Sequence, residues 1–136
     1  MYRKVLELAP DSVYYRSAIG VALLLQGKAE AALAMVQQDD WSRLWYLPIM
    51  LQANGRRAEA DEALKALIAR WADTRAMAIA MSYAYRGDNE LALQWLERAY
   101  QQKDAWLSGI VGEPLFKNLA DDPRYKAFLR KMKLPE

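Results

Sequence analysis

The chain has 136 residues, 54% hydrophobic and 26% charged, with a formal net charge of +2 and neither cysteine nor histidine. Those proportions describe a folded chain with a core to bury, and they remove disulfides, thiolate or Ser-His nucleophiles, and imidazole or thiolate metal sites. The richest apolar run, Ala18 to Leu25, falls well short of the ~18 residues a membrane helix needs, and the first residues do not read as a secretion signal.

Residues 1–10 form a short leading segment, with Tyr2 to Pro10 reading YRKVLELAP. Residues 11–40 predict a first helical pair, Ser12 to Gln26 and Lys28 to about Gln38, turned at Gly27. Residues 41–72 predict a second pair, Ser42 to Asn54 and Arg56 to Trp71 about Gly55, and residues 73–103 a third, Thr74 to Arg86 and Asp88 to Gln102 about Gly87. Each glycine stands five residues ahead of an alanine, Ala32, Ala60 or Ala92. A glycine closes a tight helix-helix turn without a side-chain penalty, and a small residue beyond it lets the second helix lie close to the first.

Apolar residues recur at helical steps, as in Ala29, Ala32, Leu33 and Val36, or Leu93, Leu96 and Ala99. Asp11 or Ser12, Ser42, and Asp73 or Thr74 are the expected N-caps of the three first helices. Pro48 lies inside the second unit's first helix, where it removes the bond to Leu44 at a cost of about 3 kcal/mol, so a kink is expected there. Residues 104–136 differ in kind: a Gly-Glu-Pro break at 112–114 is followed by a helix starting at Asp122 or Pro123, with Tyr125, Phe128, Leu129 and Met132 on one stripe. Arg124, Lys126, Arg130, Lys131 and Lys133 fall on the other side, the solvated face of a capping helix.

The carboxylates do not suggest an active site. Glu59, Asp61 and Glu62 share one polar run, and Asp39-Asp40 and Asp121-Asp122 border helices. Paired-acid catalysis needs two acids converging in a cleft, so the expectation is no enzyme, no catalytic residue, no metal and no cofactor.

Gly20, Gly27 and Ala32, and then Ala80, Tyr83, Gly87, Ala92 and Ala99, carry a resemblance to tetratricopeptide repeats. Glycine spacings of 28 and 32 fall near that family's roughly 34-residue period. The resemblance implies an all-α fold: a right-handed superhelix of antiparallel helix pairs with a C-terminal capping helix, residues 1–10 being the end of a truncated preceding repeat. PLFKNLADDPRY and the Phe-Leu-Arg helix after it resemble the terminal segment of such modules in bacterial signalling proteins, winged-helix regulators or adenylate cyclases.

In that family the first helix of each pair lines a concave face. Carried over position by position, this face takes Tyr14, Ser17, Val21 and Leu24, then Ser42, Trp45, Ile49 and Gln52, then Thr74, Met77, Met81 and Ala84, with Tyr85 alongside. Tyr14, Val21, Trp45, Ile49, Met77, Met81 and Tyr85 are the implied partner-binding residues, suited to an apolar peptide or partner domain. Ala18, Tyr46 and Ala78 stand where relatives that grip acidic tails place cations. Packing between helices is the competing role for all of these residues. The implied function is a noncatalytic protein-protein interaction module. The alternative is a regulatory or oligomerisation accessory domain of a larger bacterial transcription regulator or adenylate cyclase. Partners are protein or peptide, with self-association open and neither nucleic acid nor membrane contact expected of this segment. The cytoplasm is slightly favoured over the periplasm.

Overall fold

The computed structural model describes residues 13–38, 40–104, 107, 110 and 113–133, with side chains from Ser17 onward and without that of Trp41. The leading segment 1–10 and the Asp11 and Ser12 caps lie outside the described residues. The fold is all-α: α1 is Val13–Leu25, α2 Ala29–Val36, α3 Asp40–Ala53, α4 Arg57–Trp71, α5 Ala76–Tyr85, α6 Asn89–Gln102 and α7 Pro123–Lys131, with a 3-10 helix at Pro114–Leu119 between the last two. Two compact units divide within α4, Met1–Lys65 and Ala66–Glu136.

The three glycine turns are built alike. Gly27, Gly55 and Gly87 have φ of +80, +73 and +81°. The amide after each glycine donates to a carbonyl five residues back, Lys28 to Leu23 at 2.9 Å, Arg56 to Leu51 at 3.0 Å and Asp88 to Tyr83 at 3.0 Å. The glycine amide donates three back, to Leu24, Gln52 and Ala84. This bond pair satisfies carbonyls that a helix end leaves open, and only a left-handed residue allows it. A fourth turn follows α6: Asp104 donates to Ala99 at 3.0 Å and Lys103 to Tyr100 at 3.1 Å, with Lys103 at φ 58° in place of a glycine.

In the first unit α1 lies against α2 and α3. A Cβ added to Gly20 would stand 2.8 Å from Val36 Cγ1 and 3.7 Å from Met50 Cε, so the missing side chain is what permits the approach. Ser17 and Ser42 share a buried hydrogen bond, oxygen to oxygen 2.7 Å, joining α1 to α3. Asn54 Nδ2 donates to Ala29 O at 2.9 Å and to Met50 O at 2.7 Å, tying the end of α3 to the start of α2. Pro48 is buried within α3, which runs unbroken from Asp40 to Ala53.

In the second unit α5 is buried on every side, from Ala76 through Ser82 and again at Ala84. Its sequence, AMAIAMSYAY, has no polar stripe, the pattern of a helix enclosed by its neighbours. It pairs with α6 and meets the 3-10 helix, whose Asn118 donates to Ala84 O at 2.9 Å.

Helix starts differ from the expected caps. Ser42 lies inside α3, its hydroxyl engaged with Ser17. Neither Asp73 nor Thr74 caps α5; Arg75 is the N-cap residue and makes no side-chain cap bond. The buried Asp104 takes that role from 27 residues away, its Oδ2 accepting from the Met77 amide at 3.3 Å. Asp122 with Pro123 opens α7 as expected, accepting from the Arg124 amide at 2.8 Å.

Candidate interaction surfaces

The seven residues implied to bind a partner take different places. Tyr14 is in α1, its side chain outside the described residues. Val21, Trp45, Ile49, Met77 and Met81 are buried, Trp45 keeping 4% of its exposure and Met81 1%. Ser17, Leu24, Ser42 and Ala84 are buried as well. These positions therefore form interior packing, not an open apolar lining. The periodicity that marks a ligand-facing stripe on a helix is the same periodicity that marks a core stripe.

Tyr85 is the exception. Met77, Met81 and Tyr85 follow one another at four-residue steps along α5, and the stripe leaves the interior at its last member, which is partly exposed. Burial of the ring pushes the Tyr85 hydroxyl pKa above its ordinary value, so it stays a neutral donor and acceptor at neutral pH.

Two residues of the basic face of α7, Arg124 and Lys131, are held by acids. Arg124 bonds Glu90 of α6 and, at 3.0 Å, Asp122. Lys131 bonds Glu97 at 2.7 Å and lies 4.4 Å from the Tyr100 ring centroid. Beneath these pairs Tyr125, Phe128 and Leu129 are buried, with Tyr100 and Phe128 edge to face at 6.1 Å and Phe116 and Tyr125 stacked at 6.3 Å. Hydrogen bonds to Arg124, then to Gln94 for Glu90 and to its backbone for Asp122, hold the Glu90 and Asp122 carboxyls below their usual range. Glu113 goes the other way: burial raises its pKa, partly offset by the bond it accepts from the Leu115 amide at 3.2 Å.

A second surface was not apparent along the chain. Arg70 and Arg75 place their guanidinium groups 5.2 and 5.8 Å from the centroid of Trp71. Arg98 lies 4.9 Å from the Trp95 centroid while its Nη2 bonds Asp73 at 2.7 Å. Gln102 reaches the same turn, donating to Ala72 O at 2.6 Å. Arg-Trp at 70–71 and Trp-x-x-Arg at 95–98 are visible in the sequence, but the 25-residue link from Arg98 to Asp73 that joins them is tertiary.

Among the described residues no acidic cluster is arranged to hold a metal ion, and no helix is long and apolar enough to cross a membrane. No protein-family model, no curated protein and no solved structure matches this chain.

Proposed function

We propose that this chain is a noncatalytic interaction module of stacked helix pairs, a tetratricopeptide-like right-handed superhelix, that holds an apolar peptide or partner helix. Tyr85 is the residue through which its inner stripe meets the partner. The observation that carries this reading is the recurrence of one turn geometry at Gly27, Gly55 and Gly87, each followed by a fully buried alanine, Ala32, Ala60 or Ala92. Identical turns between paired helices are what a repeat stack requires, and repeat stacks present binding surfaces instead of reaction centres. A further support is the separation of 34 residues that joins Ala84 to Asn118, Glu90 to Arg124 and Glu97 to Lys131, which equals the family's usual period.

The test is capture from a displayed library of amphipathic helical peptides by the wild-type chain and by Tyr85→Ala. Capture by wild type, lost in Tyr85→Ala at unchanged helical circular dichroism, supports the reading. A wild-type chain that captures nothing, or a variant that captures equally well, overturns it. Trp45→Ala does not serve here, because removing a buried indole costs about 3–5 kcal/mol and confounds binding with folding.

A further inference from the structure

Arg70 and Trp71 end α4, Arg75 opens α5, and Trp95 and Arg98 of α6 are joined to the turn between them by the Arg98–Asp73 bond. The acids of this region are already engaged: Asp73 pairs with Arg98, and Asp104 accepts from the Met77 amide. Arg70 and Arg75 have no ion pair among the described residues, although both stack on the same indole. Both guanidinium groups lie against one indole with no carboxylate partner among the described residues, so an anion brought beside them supplies the charge-assisted bonds that the fold leaves unmade.

We propose that this surface docks an acidic peptide segment, whose carboxylates pair with the Arg70 and Arg75 guanidinium groups that lie against Trp71. This occupant follows from charge and composition. Guanidinium groups bind carboxylates in a two-point fork, and stacking on an aromatic face fixes the plane of the fork before the partner arrives, which lowers the ordering cost of binding. Tryptophan and arginine are also the side chains that most often dominate the binding energy of protein interfaces. A single-stranded nucleic acid fits less well, since both indoles already carry a guanidinium where a base would stack. The docking surface does not involve Tyr85, so it stands or falls independently of the apolar-peptide reading.

The test uses a fluorescently labelled peptide of alternating glutamate and leucine, titrated into the full chain by anisotropy. Wild type is expected to bind in a salt-sensitive manner, with about tenfold weaker binding in each of Arg70→Gln and Arg75→Gln. Lys117→Gln, which removes an exposed cation from the 3-10 helix, and Tyr85→Ala are expected to bind like wild type. Arg75→Lys keeps the charge but loses the fork, and should resemble Arg75→Gln. No binding by wild type overturns the proposal. So does an equal loss in Lys117→Gln, which would mean general charge attraction, or tighter binding of an oligothymidine that displaces the peptide. Peptides captured through Tyr85 without any binding of the acidic probe would remove this docking surface and leave the apolar-peptide reading in place.

Discussion

Arg124 on α7 binds Glu90 on α6 across 34 residues, and seven residues further along each helix Lys131 binds Glu97 across the same separation. The two helices therefore run parallel and in register, with Asp122 opening α7 as Asp88, 34 residues earlier, opens α6. What reads as a distinct tail therefore lies along α6 and opens with the same kind of cap.

The bonds that Arg124 makes to Glu90 and Asp122 make the fit of α7 depend on pH. Glu90 and Asp122 are held below their usual pKa chiefly by Arg124, so the folded state binds their protons less tightly than the unfolded state does. Their contribution is present above the ordinary carboxylate pKa of about 4 and is lost as pH falls through the lower folded values. Arg124→Ala should be less stable than wild type at neutral pH, with the difference closing in acid. Urea unfolding at a series of pH values measures it; a gap that stays constant with pH would show that Arg124 acts through packing alone.

Glu113 has the opposite sign. Burial raises its folded pKa, so the folded state takes up the proton more readily and ionisation opposes folding above that value. Glu113→Gln keeps an oxygen that can accept from the Leu115 amide and removes the charge. It should stabilise the chain at neutral pH, the gain vanishing as pH falls below the carboxylate range. The charge also raises the Tyr125 pKa, after burial, so the variant should lower the phenol titration followed by ultraviolet absorbance.

The fourth turn offers a comparison of glycine and lysine in one backbone conformation. Lys103 adopts φ 58°, where a side chain costs about 1 kcal/mol, and Gly87 adopts φ 81° with nothing within 4 Å of an added Cβ. Lys103→Gly should stabilise by about 1 kcal/mol, and Gly87→Ala should destabilise by about as much through the backbone alone. Denaturant midpoints at constant m-value decide it; a neutral Lys103→Gly would mean that the lysine stem recovers the strain through packing.

The sequence makes the turns legible because φ is a local property: a glycine between two periodic runs leaves few conformations open. The same holds for Asp122-Pro123, where a cap and a first-turn proline are adjacent. What escapes is whatever depends on a partner far along the chain. Ser42 reads as a cap until Ser17 is beside it, and Asp73 or Thr74 reads as the cap of α5 until Asp104 arrives from beyond α6 to accept from the Met77 amide. The inner stripe fails for a related reason. Val21, Trp45, Ile49 and Met81 have the spacing and chemistry of a groove, and only the positions of neighbouring helices decide that they are interior. Arg98 and Asp73 are equally mute until folding joins them.

Gly20 is the residue on which the packing of the first unit can be tested most sharply. Within a helix, alanine is favoured over glycine by about 1 kcal/mol, so propensity alone makes Gly20→Ala stabilising. The added Cβ, however, would stand 2.8 Å from Val36 Cγ1, a fully buried β-branched side chain with little rotameric freedom. Overpacking of this kind costs about 1–3 kcal/mol, so the net effect should be a loss of up to about 2 kcal/mol. Val36→Ala removes the obstructing methyl and is itself destabilising through the space it leaves. In that background Gly20→Ala should reverse sign and stabilise, because the new methyl then fills part of the gap. A double-mutant cycle by urea unfolding gives the coupling directly. If Gly20→Ala destabilises equally in both backgrounds, the close approach of α1 to α2 is not what selects glycine at this position.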